Sequence, residues 1–272
     1  MTERIKIVIS NQRGGVAKTT TTLTLARYLA DRGRKVLVID TDPQGSITPM
    51  LGLKPTANLY DFLVKNFRFE ECVTPAHPKI DVICSARNTL EAEHSILGQV
   101  FREFIFEKVF GPYESRYDAI LVDVAPSISL LQTCAMIFCR HVLIPVAMET
   151  LSLQGCSASI NAADVLNKQF RDGTVSVQTV GFLPVMVNPR LQMTELVMNA
   201  LRQLSQLHQV PILPPIRQDV EVVKSAKVKK FLVDHAPGSR AVADYHAAFQ
   251  QLLDHLETET LSGQKREAQR TS

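Results

Sequence analysis

The chain has 272 residues, of which 45% are hydrophobic and 21% charged, and its formal net charge is only +3. These proportions are ordinary for a soluble globular protein, and so small a net charge does not by itself indicate nucleic-acid binding. No apolar run reaches the roughly 18 residues of a membrane-spanning helix, and the charged N-terminus lacks the pattern of a secretory signal. We therefore expect a cytoplasmic protein that does not enter a membrane. Its five cysteines are scattered without zinc-ligand spacing, which predicts reduced, buried thiols.

Short β-branched runs alternate with longer helical patterns along the chain. The first two strands are predicted at 5–10 and 35–40, with a helix over 19–32 between them. Continuous apolar strands separated by helices predict an α/β fold, in which a mostly parallel sheet is flanked by helices on both faces. The remaining strands are predicted at 80–84, 119–124, 141–146 and 180–187, and the remaining helices over 90–110, 130–139, 152–170 and 194–208.

The chain contains no internal repeat and no linker-like segment, so a single domain is predicted over residues 1–257. An amphipathic helix over 241–256 closes this domain. The polar residues 258–272 are predicted to form a disordered tail.

The strongest chemical signal lies between the first strand and the first helix, where residues 11–20 read NQRGGVAKTT. Gly14 and Gly15 allow the backbone to turn its N–H groups toward phosphate oxygens, and the N-terminus of the following helix favours the same anion. Lys18 is placed to reach the β- and γ-phosphates, and the Thr19 hydroxyl to ligate Mg²⁺. The alternative is a glycine turn that only joins strand to helix, which the Lys-Thr-Thr sequence at this offset disfavours.

Acidic residues follow two later strands. Asp40 and Asp42 lie in DTDPQG after the second strand, where ligands gather at the carboxyl edge of a parallel sheet. Their spacing fits either Mg²⁺ binding or the capping of a turn before Pro43. The apolar run that ends at Asp123 has the form of a Walker B strand, whose carboxylate holds Mg²⁺, although buried strands ending in Asp are common.

These motifs, in this order, resemble the ParA/MinD family of deviant Walker A ATPases, and specifically its ParA/Soj-like partition ATPases. The loop is similar to the family's KGGxGK[ST], the second motif to DxDPQG, and YDAILVDVAPS to YDxIxxDxPPS. Arg13 stands where the family has its signature lysine, and Ala17 replaces a glycine. A negative φ at Ala17 would cost little, whereas a positive φ would cost on the order of 1 kcal/mol or more. With alanine at this position we expect nucleotide binding to persist and hydrolysis to be slowed.

The resemblance implies ATP and Mg²⁺ as cofactors and a homodimer in the ATP-bound state. It implies catalytic roles for Lys18, for Asp42, which positions the attacking water, and for Arg13, which reaches across the dimer to the partner's nucleotide. The metal ligands it implies are Thr19, Asp40 and Asp123. The expected nucleotide-binding residues are Arg13, Gly14, Gly15, Val16, Ala17, Lys18, Thr19 and Thr20, with Asn188 as a candidate adenine contact.

Residues 217–240 carry six basic and three acidic side chains, an excess equal to the net charge of the whole chain. If 219–230 is helical, Lys224, Lys227 and Lys230 fall on one side, which suits the DNA backbone. A solvated helix face is the alternative. The resemblance implies non-specific DNA binding through this region, including Arg217, and hence association with the nucleoid.

The function expected from the resemblance is a slow, partner-stimulated ATPase that partitions a plasmid, chromosome or other large cargo together with a ParB-like protein. Two alternatives stay open. One is a P-loop ligase or kinase that acts on a small metabolite, and the other is a weakly hydrolysing ATP-bound scaffold. A MinD-like membrane helix is not expected, because the helix over 241–256 contains no lysine or arginine.

Overall fold

The computed structural model describes residues 4–171 and 173–270, with side chains described up to residue 258. Within these ranges the strands are β1 Ile5–Ile9, β2 Val36–Asp40, β3 Val73–His77, β4 Ile80–Ile83, β5 Ala119–Asp123, β6 His141–Ala147 and β7 Gln178–Val185. The α-helices there are α1 Lys18–Asp31, α2 Ile47–Leu51, α3 Leu59–Leu63, α4 Phe69–Cys72, α5 Thr89–Ile96, α6 Ile105–Phe110, α7 Leu130–Cys139, α8 Thr150–Gln169, α9 Gln192–His208, α10 Val220–Lys227, α11 Leu232–His235 and α12 Arg240–Arg270.

The strands form one sheet in the order β3-β4-β2-β5-β1-β6-β7. Every neighbouring pair is parallel except β3 with β4, so the predicted mostly parallel sheet is confirmed. The antiparallel strand β3 was not predicted. It lies at the sheet edge, is only partly buried and contains Pro75, which an edge strand tolerates because one side of its backbone needs no partner.

Two apolar cores cover the two faces of the sheet. Alternate residues of β1 enter different cores, because Val8 packs on one face and Ile7 and Ile9 pack on the other. The core around Val8 includes buried side chains of α3 and α5 to α9, and the opposite core is closed by α1 and α12. Helices therefore flank both faces of the sheet, as predicted.

Two predicted segments differ from the structure. The helix expected over 90–110 is divided into α5 and α6 by residues 97–104, in which Phe101 has a positive φ of 57°. The backbone of α12 also continues as helix to Arg270, through residues for which a disordered tail was expected. Residues 257–270 contain no proline and are rich in Glu, Gln, Lys, Arg and Ala, which favour helix even without an apolar face.

All five cysteines are buried and free, as predicted. Among the residues that the structure describes, no helix combines the length and the apolar character needed to span a membrane.

Candidate nucleotide-binding site

The candidate site is a cleft of about 650 Å³ at the carboxyl edge of the sheet. It lies where β1 leads into α1, beside the ends of β2 and β5, which are the central strands of the sheet. The described residues that line it are Gly14, Gly15, Val16, Ala17, Lys18, Thr19, Thr20, Asp42, Ser46, Pro49, Met50, Pro126, Met186, Val222, Val223, Ala226 and Lys227. The structure thus brings the predicted phosphate loop and Asp42 to one surface.

The loop turns into α1 through two residues in the left-handed region. Gly15 has φ 76°, and Ala17, the N-cap of α1, has φ 59° and ψ 28°. Glycine adopts this conformation freely, whereas the Cβ of alanine meets the backbone there, at a cost of about 1 kcal/mol. Of the two conformations considered for Ala17, the structure has the costly one.

The loop is anchored to the first turns of α8. Asn11 is fully buried, and its Nδ2 donates to the carbonyl oxygens of Pro145 and Ser152 at 2.8 and 3.2 Å. Its Oδ1 accepts from the Arg13 backbone N–H at 3.0 Å. Gly155 leaves room for this contact, because a Cβ there would overlap Asn11 Oδ1 and lie 2.9 Å from the Arg13 nitrogen. The position of the phosphate loop therefore depends on the hydrogen bonds of Asn11 and on the absence of a side chain at Gly155.

The side chain of Lys18 is curled inside the loop. Its Nζ donates to the carbonyl oxygens of Asn11 and Arg13 at 3.1 and 2.9 Å, and the residue is only 7% exposed. Burial lowers the pKa of this ammonium group, while Asp123 and Asp42 nearby act in the opposite direction. Phosphate oxygens could replace the two carbonyl acceptors, so the amine lies ready for an anionic ligand.

Thr19 and the carboxylates at the strand ends form a group of oxygen atoms. Thr19 Oγ1 donates to Asp123 Oδ2 at 2.7 Å, and Thr22 Oγ1 donates to Asp123 Oδ1 at 3.3 Å. Asp40 is the register partner of Asp123 on the neighbouring strand. Burial, followed by repulsion from Asp123, raises the pKa of Asp40 well above its usual range. Burial also raises the pKa of Asp123, to about 6.

This group fits a magnesium ion. Asp40 Oδ2 is buried and has no hydrogen-bond partner among the described residues. A hard cation takes hydroxyl and carboxylate oxygens, and it would relieve the repulsion between Asp40 and Asp123. No cluster of three His, Cys, Asp or Glu side chains that could hold a metal occurs in the described part of the chain. Mg²⁺ would therefore need Thr19 and the oxygens of a bound phosphate as well.

Asp42 lines the cleft while it also shapes a turn. Its Oδ1 accepts from the Gln44 backbone N–H at 2.9 Å, and its own N–H donates to Asp40 Oδ1 at 3.0 Å. Gly45 follows with φ 60°, and a Cβ there would lie 2.6 Å from the Ser85 carbonyl oxygen. These acids therefore do cap the turn before Pro43, which was the alternative to Mg²⁺ binding. Asp42 lines the cleft together with the phosphate loop at the same time.

Arg13 lies outside the cleft. It is not among the described lining residues, and its Nε contacts Glu149 Oε1 at 3.3 Å in a half-exposed ion pair. The side chain of Arg13 is thus paired with the N-cap residue of α8.

Asn188 and Arg217 share a neighbouring cleft of about 420 Å³. Asn188 Oδ1 accepts from the Arg190 backbone N–H at 3.2 Å. Arg217 forms two charge-assisted bonds with Asp244, at 2.8 and 2.7 Å. A smaller cavity of about 180 Å³ touches both Ala17 and Arg217, so the Arg217 side of this region lies close to the phosphate loop.

The predicted lysine stripe is interrupted. α10 ends at Lys227, and Lys229 has a positive φ of 59°, so Lys230 does not continue the helical face as expected. The chain turns because the N–H of Lys230 bonds the carbonyl of Ser225 at 3.0 Å, which closes the helix C-terminus. Lys224 is 2.7 Å from Glu221, and Lys227 lines the nucleotide cleft.

Several residues of the site were not predicted as such. Asn11 lies at the start of the loop and Gly155 lies far along the chain in α8, and only the fold brings them together. Glu149 carried no sequence signal. Val222, Val223 and Ala226 of α10 read as ordinary helix residues, and their place in the cleft follows from tertiary packing.

A glycine-containing loop that joins a central parallel strand to a helix, with Lys18 inside and Thr19 bonded to Asp123, defines a P-loop nucleotide hydrolase. Residues 4–174 match the protein family described as AAA domain. The chromosome partitioning protein ParA of Myxococcus xanthus is 32% identical over 200 residues, which are 72% of this chain and 70% of that protein. The chain therefore belongs to the family of ParA-like partition ATPases, as the motifs predicted.

Solved structures show the same fold at lower identity. The ATP complex of a McdA variant from Cyanothece has a TM-score of 0.81 and 19% identity, over 94% of this chain and 98% of the other. Cobyrinic acid a,c-diamide synthase from Mycobacterium smegmatis, with bound ADP and magnesium, has a TM-score of 0.78 and 22% identity, over 94% and 97%. At these identities the likeness extends to the fold alone.

Proposed function

We propose that this chain is an ATP-dependent dimerising switch, which binds DNA non-specifically and positions a plasmid, a chromosome or another large cargo with a ParB-like partner. One observation carries the nucleotide part of the proposal. Lys18, Asp42 and the Thr19–Asp123 pair converge where the phosphate loop opens into the cleft. The partition function draws on the similarity to a chromosome partitioning ParA.

Phosphoryl transfer to water mainly requires positioning and charge neutralisation, and the cleft residues suit these tasks. Lys18 would exchange its two carbonyl acceptors for β- and γ-phosphate oxygens. Thr19, Asp40 and Asp123 would hold Mg²⁺, which when bound neutralises phosphate charge. Asp42 would orient the attacking water, because it lines the cleft together with the loop and its charge acts on Lys18.

Hydrolysis without a partner is proposed to be slow. Ala17 holds a left-handed conformation that favours glycine, and Arg13 is paired with Glu149 outside the cleft. In the dimer, Arg13 would leave Glu149 for phosphate oxygens of the partner's nucleotide, which a guanidinium can bind with two bonds. The weakly hydrolysing scaffold remains the second candidate, and the conformation of Ala17 favours it. A low ATPase rate that neither DNA nor any partner protein raises would establish the scaffold.

Exposed apolar side chains around the cleft support the proposed homodimer. Two of seven such residues, Met186 and Val223, line the cleft, and the other five lie on loops and helix ends that follow β5, β6 and β7. Monomers seldom expose large contiguous apolar patches. These residues are Ile128, Leu151, Met186, Leu191, Met193, Val220 and Val223.

DNA contact is proposed through the basic residues Arg217, Lys224, Lys227 and Lys230. The ion pairs of Arg217 and Lys224 are half exposed, so DNA phosphates could compete for both side chains. The double variant Lys224→Glu/Lys230→Glu is expected to lose DNA binding in the presence of ATP and to keep nucleotide binding. Unchanged DNA affinity would place the DNA surface elsewhere.

The central experiment measures ATP turnover alone, with DNA, and with DNA plus protein captured on an Asp42→Ala variant. Stimulation by DNA and the captured protein is expected, and Asp42→Ala should remain ATP-bound and DNA-bound. Normal turnover in Asp42→Ala would overturn the assignment. Stimulation by a small metabolite would instead support the ligase or kinase, although among the described lining residues Asp42 is the one carboxylate.

A further inference from the structure

Helix α10 forms one wall of the nucleotide cleft. Val222, Val223, Ala226 and Lys227 line it, and at about 100° per residue these positions fall on one side of the helix. Val223 is 60% exposed, although it faces a cleft whose opposite wall is the phosphate loop. The helix therefore presents an apolar surface that ends in a lysine, and a nucleotide pairs an apolar base with an anionic phosphate chain in the same way.

The two ends of α10 face different parts of the site. Val222 and Val223 also line the smaller cavity that reaches Arg217, whereas Lys227 does not. Beyond Lys227, the Lys229 side chain packs on Gly52, because a Cβ on Gly52 would lie 2.8 Å from Lys229 Cδ. Gly52 ends α2, which begins shortly after the Asp42 turn. The lysine end of α10 thus lies beside α2, whose residues Pro49 and Met50 line the cleft together with Asp42.

Among the residues whose side chains the structure describes, no ion pair accounts for the position of Lys227. It forms no ion pair with any residue whose side chain is described, whereas Lys224 on the same helix contacts Glu221 at 2.7 Å. Its side chain is exposed and lines the cleft with seven consecutive residues of the phosphate loop, Gly14 to Thr20. An unpaired ammonium group beside a phosphate loop is a strong donor for phosphate oxygens.

We propose that Lys227 is a nucleotide-binding residue, which contacts the phosphate chain of ATP or ADP from α10. The inference rests on the proposed nucleotide binding of the cleft. It assigns a nucleotide contact to a residue that the sequence, through the spacing of Lys224, Lys227 and Lys230, had suggested only for DNA binding. Nucleotide binding would then order α10, and with it the neighbouring lysines. Lys227 thereby couples the nucleotide site to the basic segment.

The test compares the nucleotide affinities of Lys227→Met and wild type by calorimetry in the absence of DNA. Methionine keeps the apolar stem and removes the charge. We expect ATP and ADP to bind roughly ten- to a hundredfold more weakly, as for the loss of one charge-assisted contact. Lys227→Arg should restore most of the affinity. Hydrogen exchange over residues 220–228 should slow on ATP addition in wild type, and much less in Lys227→Met.

Lys54→Ala is the matched control. It removes one exposed positive charge just past Gly52, outside the residues that line the cleft, and should bind ATP as wild type does. Wild-type affinity in Lys227→Met would overturn the inference, and a simultaneous loss of DNA binding would assign Lys227 to the DNA surface. A wild-type chain that binds no nucleotide would instead overturn the proposed function itself.

Discussion

Ala17 shows how much a single methyl group matters at the phosphate loop. Its φ of 59° places the Cβ against the backbone, at the point where the loop becomes helix α1. The loop keeps its shape because the sheet, the helix and the Asn11 anchor fix both of its ends. Strain of this kind persists only where the surrounding structure determines the conformation.

Ala17→Gly is therefore expected to stabilise the protein. Removing the methyl group relieves the left-handed strain, and the greater freedom of unfolded glycine offsets part of the gain, so the free energy of unfolding should rise by about 0.5–1 kcal/mol. Urea denaturation measures this change, and the basal ATPase rate should rise in the same variant. The matched control is Ala30→Gly inside α1, which should lower stability by about 1 kcal/mol or more. The same sign of change in both variants would contradict the explanation.

Asp40 is a second residue that lowers the stability of the nucleotide-free protein, because its carboxylate is buried beside Asp123. Asp40→Asn removes a buried charge beside Asp123 and retains an acceptor for the Asp42 N–H. The nucleotide-free variant should melt several degrees higher than wild type near pH 7. For a chain of this size, each kcal/mol of added unfolding free energy raises the melting temperature by about 2–4 °C. Mg²⁺-dependent ATP binding should weaken in the same variant.

The higher melting temperature of Asp40→Asn should depend on pH, because the pKa of Asp40 is raised in the folded protein. A carboxyl group with a raised folded-state pKa destabilises the protein above that pKa, and the cost disappears as pH falls toward its unfolded value of about 4. Melting curves between pH 5 and 8 should therefore show the difference from wild type narrowing at low pH. Asp254→Asn, at an exposed position of α12, is the control for the removal of a carboxylate outside the cleft.

At the scale of elements, the site depends on contacts between segments that are distant in sequence. Helix α8 fixes the loop through Asn11, and the close approach requires Gly155.

Gly155→Ala should displace the loop and weaken ATP binding at least tenfold, while α8 itself accepts alanine well. Calorimetry gives the affinity, and circular dichroism shows whether the fold is retained. Gly98→Ala is the control, because no atom lies within 4 Å of its added Cβ. Equal affinities in both variants would contradict the anchoring role.

Features that depend on neighbouring residues could be predicted from the sequence, whereas most features that depend on distant segments could not. The long apolar strands and helices such as α7 and α8 were predicted within a few residues, because their periodicity is strong and local. The phosphate loop was also predictable, since its residues are consecutive. The edge strand β3, the end of α10 before Lys230 and the place of Val222 in the cleft were not. The strand β3 and the cleft position of Val222 depend on packing between segments remote in sequence, which a local pattern does not contain. Helix α10 ends at a local turn, which the residue type at Lys229 does not indicate because a positive φ is rare for lysine.

At the scale of the whole molecule, exposed apolar residues occur both beside the cleft and away from it. Ile128 follows β5, is 77% exposed, and lies two residues from Pro126, which lines the nucleotide cleft. Leu207 is similarly exposed at 75%, but it lies near the end of α9, far along the helix from Asn188. A dimer that closes over the nucleotide would cover the first of these residues and leave the second in solvent.

Ile128→Glu should therefore abolish the ATP-dependent dimer, because dimerisation would bury an unpaired carboxylate in an apolar contact. The substitution is best made together with Asp42→Ala, which should hold ATP in the cleft. Light scattering after gel filtration should give a dimer for Asp42→Ala with ATP and a monomer once Ile128→Glu is added. Leu207→Glu in the same background should remain dimeric. A dimer that survives Ile128→Glu and is lost in Leu207→Glu would move the interface to the other end of α9, where it could not depend on bound nucleotide.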